Sequence, residues 1–169
     1  NNAPGIVSII SKREIEGFAA ENLGQVLDRV VGANFLSANC WVDNIVHFRG
    51  QSKTPYDNHT LILLNGRPVR DPMSGGFNST IYAVFPINII DHIEIIRGPG
   101  SVLYGSAAYS GVINIVTREA LAESAETSID LSVGTQAAFG QQVAGGVNKE
   151  GMSFSYGFNH YSNDGPEYS

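Results

Sequence analysis

The run Gly98-Pro99-Gly100-Ser101-Val102-Leu103-Tyr104-Gly105-Ser106 has the spacing most suggestive of chemistry. Gly100 and Gly105 are separated as in a phosphate-cradling loop, but Ser106 stands where the lysine that reaches the phosphates must be. The same run opens like a dinucleotide fingerprint, yet Leu103 replaces the third glycine that lets strand and helix approach. A structural turn is the reading that remains. The four histidines, His47, His59, His92 and His160, lack a second histidine or cysteine at metal-binding spacing, so no metal site is expected. No Gly-x-Ser-x-Gly elbow occurs, and Gly50-Gln51-Ser52-Lys53 lacks the glycine such a sharp turn needs. Asn58-His59-Thr60 and Asn78-Ser79-Thr80 fit the glycosylation pattern and read as loop polarity. Cys40 has no second cysteine in the chain; it could pair with a residue beyond Ser169 or with a second molecule, and the favoured reading beside Trp41 is a small, partly buried apolar residue. With no catalytic constellation and no cofactor motif, an enzyme is not expected.

The totals narrow the classes further. At 169 residues the chain holds one ordinary domain and a remainder, and its 43% hydrophobic against 15% charged residues describe a folded chain. A formal charge of -6 gives no reason to approach a phosphate backbone, so nucleic acid is excluded as a partner. The longest apolar runs, Leu61 to Leu64 and Val112 to Val116, fall far below the ~20 residues of a spanning helix. Asn1-Asn2-Ala3-Pro4 has no basic segment followed by an apolar run, so no secretory signal is legible there.

Any site must be positioned by the following elements. Ile6 to Ile10 reads as a strand, and Ser11-Lys12-Arg13-Glu14 has the S-x-x-E form of a capped helix start. Asn22 caps a second helix whose Leu23, Val26, Leu27 and Val30 share a face, with Gly32 suited to end it. Ala33 to Asn58 is loop-rich, interrupted only by a short strand at Val46 to Gly50. Leu61 to Leu64, Asn65-Gly66 and Arg67 to Val69 form a strand, a type I′ turn signal and a return. Arg70 to Thr80 lacks periodicity and reads as a long loop, the kind that carries function. Pro86 begins a short helix through Ile90, Ile93 to Arg97 is a strand halted at Gly98-Pro99-Gly100, and Val112 to Thr117 is another, entered through Gly111.

After about Ala120 the pattern changes. Thr127, Ile129, Leu131 and Val133 alternate with Ser128, Asp130 and Ser132, and Met152, Phe154, Tyr156 and Phe158 alternate with Ser153, Ser155, Gly157 and Asn159. Gln142 to Val147 supplies a middle strand, and Asn148 to Gly151 a polar turn. Alternation also suits a soluble sandwich; segments of about ten residues with a small-polar face favour strands that cross a bilayer.

Ile93 to Thr117, Ile-Glu-Ile-Ile-Arg-Gly-Pro-Gly-Ser-Val-Leu-Tyr-Gly-Ser-Ala-Ala-Tyr-Ser-Gly-Val-Ile-Asn-Ile-Val-Thr, closely resembles the signature of TonB-dependent receptor plugs. Four further pieces match in order: Ile6 to Glu14, the Asn22-Leu23-x-x-x-Leu27 helix, Phe48-Arg49-Gly50, and Leu61 to Pro68. The resemblance implies an α+β fold: a small mixed-sheet plug domain with short helices over residues 1–120. Antiparallel strands of an incomplete outer-membrane β-barrel then occupy 121–169. It implies a plug lodged in a barrel of about 22 strands, in the bacterial outer membrane and facing the periplasm. Such a plug gates import of a ferric siderophore, haem or cobalamin when the energy-coupling protein TonB pulls.

The resemblance also suggests site residues. Apical loops at Asn39 to Asn44 and Asp71 to Thr80 point to Trp41, Met73 and Phe77 as ligand contacts, or else as loop residues packed on the barrel wall. Arg49 and Arg97 match the plug arginines that pair with wall glutamates; the other reading is an exposed charge at a strand end. Gly98, Pro99, Gly100, Gly105 and Gly111 form the signature turn. The TonB-binding segment expected ahead of Ile6 is not recognisable in the first residues. Three strands cannot close a barrel, so residues 125–161 are expected to be disordered, to aggregate or to pair edge-to-edge with another chain. Two other readings stand beside this one: a receptor chiefly for signalling or protein uptake, and a soluble secreted binding module.

Overall fold

The computed structural model describes residues 6–36, 45–48, 59–70, 72, 76, 79–98, 104–105, 108–118, 125–150 and 152–165. The chain forms two compact units, Asn1–Phe85 with Ile90–Thr117, and Pro86–Ile89 with Arg118–Ser169.

In the first unit, β1 (Ile6–Ser11) leads into α1 (Lys12–Gly17) through the capping box that the sequence signals. The Glu14 amide donates to Ser11 Oγ at 3.4 Å, and the Ser11 amide donates back to Glu14 Oε2 at 2.8 Å, so two otherwise orphaned donors are satisfied. Asn22 caps α2 (Leu23–Asp28), accepting from the Gln25 amide at 3.0 Å. This helix ends one turn short of Gly32, and Leu23, Val26 and Leu27 are fully buried. A side chain at Gly24 would collide with the Phe35 ring, which meets Tyr82 edge-on at 5.5 Å. Phe35 belongs to β2 (Ala33–Leu36), which pairs antiparallel with β3 (Ile45–Phe48); Tyr82 belongs to α3 (Ser79–Val84). β2 lies where the sequence reads as loop-rich, and α3 starts in the last two residues of the Arg70 to Thr80 loop and runs on through residues that carry no sequence signal of their own.

The remaining strands are β4 (Thr60–Leu64), β5 (Arg67–Pro68), β6 (Ile90–Arg97) and β7 (Gly111–Thr117). With β1 they make a mixed five-stranded sheet in the order β1-β6-β7-β4-β5, in which only β4 and β7 run parallel. Register puts Ile62, Ile95 and Ile113 on one face, with Ile10, Ile93 and Ile115 beside them, all buried. Leu61, Leu63, Val112 and Ala108 cluster on the other, joined by Ile96. Two buried faces explain why these strands read as continuous aliphatic runs rather than alternating ones.

The second unit is a meander of β8 (Glu126–Val133), β9 (Phe139–Lys149) and β10 (Met152–Ser162), with β9 central. The middle strand is longer than its sequence signal, because its glycines mask the alternation. Pro86–Ile89, a turn ending in one 3-10 turn at Ile87–Ile89, packs with these strands.

Candidate functional site

Three of the motif residues, Arg97, Gly98 and Gly111, meet at one end of the five-stranded sheet. Arg97 ends β6 directly opposite Gly111, which starts β7. A β-carbon at Gly111 would lie 2.7 Å from the Ile96 carbonyl oxygen and 2.9 Å from Cδ2 of buried Phe48, so the glycine makes room for the Phe48 ring. Gly98, with φ 121, turns the chain away and donates its N–H to the Ser110 carbonyl at 2.9 Å. The Ser110 amide in turn donates to the His59 carbonyl at 2.8 Å, and Thr60 Oγ1 donates to the Val46 carbonyl at 3.1 Å. Phe48, Gly98 and Gly111, from motifs scattered along the chain, thus belong to one backbone-bonded junction. Gly105 has φ 80.

Arg97 Nε and His59 Nδ1 are buried at this end and meet no hydrogen-bond partner among the described residues. A buried guanidinium N–H without an acceptor is costly. His59 stacks obliquely on Tyr109, ring centres 6.0 Å apart, and Tyr109 is exposed. Arg49, Pro99 and Gly100 lie outside the described residues, as do the three apical-loop residues Trp41, Met73 and Phe77.

The opposite end of the sheet holds a polar lattice that the sequence did not announce. Asn65 and Gly66, with φ 50 and 76, form the type I′ turn between β4 and β5. Asn65 Oδ1 accepts from the Thr117 amide, the Gly66 amide donates to Asn114 Oδ1, and Asn114 Nδ2 donates to Glu94 Oε2 at 2.8 Å. His92 touches Asp91 Oδ2 at 2.6 Å and Glu94 Oε1 at 3.6 Å. The signal that finds this lattice is the pair of motifs Asn65-Gly66 and Asn114-x-x-Thr117 taken together; alone, neither specifies a partner some fifty residues away. Among the described residues no group of histidine, cysteine or acidic side chains is arranged to hold a metal ion.

In the second unit, register sorts side chains cleanly. One face carries the rows Ile129–Val143–Phe158, Thr127–Gly145–Tyr156 and Leu131–Gln141–His160; the other carries Ser128–Ala144–Gly157 and Asp130–Gln142–Asn159. The first face is bare: Ile129, Leu131, Phe154 and Phe158 are 66%, 69%, 63% and 56% exposed. The Tyr156 hydroxyl crosses Gly145 to meet Thr127 Oγ1 at 2.5 Å. A sheet with its large apolar side chains outward and small polar ones inward inverts the order of a water-soluble domain.

Residues 1–112 match the family model of the TonB-dependent receptor plug domain. The chain belongs to this family. This plug-family chain is 31% identical over 147 residues to the vitamin B12 transporter BtuB of Photobacterium profundum, a match covering 86% of this chain and 23% of that protein. It is 35% identical over 122 residues to an iron-regulated outer membrane virulence protein of Vibrio cholerae, covering 70% of this chain and 18% of that one. It therefore spans about a fifth of the length of the curated relatives it matches. Among solved structures, the alcaligin outer membrane receptor FauA of Bordetella pertussis shares the fold with a TM-score of 0.71 at 22% identity, over 96% of this chain and 27% of that one. A mutant of the ferric enterobactin receptor PfeA of Pseudomonas aeruginosa, in complex with enterobactin, gives 0.61 at 25% identity over 92% and 24%. The BtuB relative is named a transporter and the two structural neighbours are named receptors, and FauA shares the mixed sheet with short helices followed by antiparallel strands.

Proposed function

We propose that this chain is the gate and ligand-recognition plug of an outer-membrane importer, residues 1–120, followed by the first strands of its barrel, residues 121–169. The observation that carries the reading is the β8–β10 sheet, whose exposed apolar face suits lipid while its small polar face suits a filled lumen. β9 and β10, at 11 residues each, have the length a tilted strand needs to cross a bilayer. The plug lies inside the barrel and faces the periplasm, where TonB engages it. The cargo class is a scarce metal-chelate nutrient, a ferric siderophore, haem or cobalamin, in keeping with relatives named for vitamin B12 and for iron.

Within this reading Trp41, Met73 and Phe77 line the ligand side, since aromatic and flexible apolar side chains give area to a large chelate. Arg49 and Arg97 pair with carboxylates of the barrel wall; the buried Nε of Arg97, which has no partner among the described residues, supports that role. The test is expression of the complete reading frame. A band whose electrophoretic mobility shifts on heating, with Trp41 fluorescence changing on addition of cyanocobalamin, haem or ferric enterobactin, is expected. A receptor that binds one of these by an independent assay with Trp41 silent would remove Trp41 from the ligand site. A reading frame that yields no such barrel would remove the importer reading itself.

A further inference from the structure

We infer that Asn65 is a modification site: a latent deamidation site that β7 holds closed, so that opening this end of the sheet converts Asn65 permanently to aspartate or isoaspartate. The inference concerns the first unit alone and does not rest on the importer reading.

An asparagine side chain is open to attack by the backbone nitrogen of the residue that follows it. Glycine makes that attack easiest, having no β-carbon in the way and few backbone restrictions. In this turn the Gly66 nitrogen would lose its proton to hydroxide and bond to Asn65 Cγ. The Cγ–Nδ2 bond then breaks, Nδ2 leaves as ammonia with a proton returned from water, and a second water opens the cyclic imide to aspartate or isoaspartate. Asn65 and Gly66 are both exposed, so hydroxide and water reach them, and burial gives the site no protection.

Hydrogen bonds to β7 give it instead. The attacking group is engaged: the Gly66 N–H donates to Asn114 Oδ1 at 2.9 Å. So is the group attacked. Asn65 Oδ1 accepts from the Thr117 amide at 2.9 Å and from Thr117 Oγ1 at 3.3 Å, while Asn65 Nδ2 donates to Thr117 Oγ1 at 2.9 Å. Asn114 is held in turn by Glu94 of β6, to which its Nδ2 donates at 2.8 Å. Ring closure needs the Gly66 nitrogen freed and the Asn65 carboxamide swung toward it, and neither happens while β7 is in place. The reaction is therefore gated by local opening of the sheet end.

The product does not restore the lattice in full. Aspartate has no N–H to offer Thr117 Oγ1, and isoaspartate adds a methylene to the backbone of a tight turn. One opening that runs to completion leaves this end of the sheet looser than before.

The experiment incubates the complete protein at mildly alkaline pH beside a free peptide of residues 60–70. The deamidated fraction at Asn65 is read by mass spectrometry after digestion, and hydrogen exchange at the Thr117 amide reports opening. The folded parent is expected to deamidate about tenfold or more slower than the peptide. Asn114→Ala and Thr117→Val, with circular dichroism matching the parent's, should each deamidate several-fold faster than the parent, with Thr117 exchange rising in step. In the parent, the ratio of its rate to the peptide's should follow Thr117 exchange as temperature rises, a comparison that needs no variant to fold. A parent as fast as the peptide would show that the site is not held closed. A slow parent with both variants equally slow, or a ratio that stays flat while Thr117 exchange climbs, would assign the protection to the turn's own shape and overturn the role of β7.

Discussion

Asn65 Oδ1 accepts a hydrogen bond from the backbone amide of Thr117 at 2.9 Å, and Asn65 Nδ2 donates to Thr117 Oγ1 at 2.9 Å. A turn residue of one hairpin therefore closes the end of a strand far along the chain. The Asn65 N–H donates to the Ile115 carbonyl in the same place, so the turn continues the β4–β7 ladder past Leu64.

Replacing Asn65 separates two contributions. Asn65→Gly keeps the left-handed turn and loses the side-chain bonds, which is worth about 1 kcal/mol. Asn65→Ala loses the bonds and adds a left-handed alanine, for a total of about 2 kcal/mol. Urea unfolding midpoints in the order parent, glycine, alanine are expected; equal midpoints for all three would show that the link to Thr117 contributes nothing.

Gly111 and Phe48 form a matched pair. Gly111→Ala drives a methyl toward both the Phe48 ring and the Ile96 carbonyl and is expected to destabilise by about 1–3 kcal/mol. Phe48→Leu frees the ring side of that clash but not the backbone side. In a double-mutant cycle Phe48→Leu should therefore recover part of the loss at Gly111→Ala; strict additivity would show that the ring is not what the methyl meets.

Glu14 offers a pH test. The Ser11 hydroxyl, and after it the Ser11 backbone N–H, hydrogen-bond the Glu14 carboxylate and hold its pKa below the usual glutamate value. A carboxylate with a depressed folded pKa stabilises above its unfolded pKa, and that contribution disappears as pH falls through the folded value. Carboxyl-carbon NMR titration should place Glu14 below a free glutamate, and Ser11→Ala should move it back upward. An unmoved titration in Ser11→Ala would dissolve the capping box as its cause.

The bare face of the second unit predicts a sided response to charge. Ile129→Arg places a cation in the Ile129–Val143–Phe158 row and is expected to weaken insertion into phospholipid vesicles by about 2–4 kcal/mol if that row lies near mid-bilayer. Ser128→Gln, on the opposite face, should leave insertion unchanged. Without lipid or detergent, the exposed face and open edges should drive this chain to associate, read out by sedimentation. Equal vesicle flotation of both variants would argue that the face is not lipid-directed.

Much of the fold was legible because local and tertiary preferences agree. The Ser11–Glu14 box, the Asn22 cap, the Asn65-Gly66 turn and the β6 and β7 strands all carry short-range signals that the structure realises. β2 escaped notice because it is four residues long with Asn34 inside it, and only pairing with β3 makes it a strand. α3 escaped because Ile81, Tyr82 and Val84 are indifferent helix formers, and the helix is set by burying Tyr82 against Phe35. At the site, Arg97 and Gly111 were flagged by their motifs. The hydrogen bond from the Arg118 amide to the Ile89 carbonyl was not, since nothing local to either residue says that they meet.

The strand order has a consequence for how the protein is made. β1 is synthesised before the rest of the sheet, yet its one sheet neighbour among the described residues is β6, and β4 has no parallel partner among them until β7 exists. Every residue from Ile6 to about Val116 must therefore leave the ribosome, and cross any membrane on its route, before the central sheet can close. Contacts so distant along the chain form slowly and leave aliphatic segments uncovered meanwhile. Leu61 to Leu64 and Ile93 to Ile96 are then the segments most in need of a chaperone's grip, and the arrival of Gly111 to Thr117 is the event that ends that dependence.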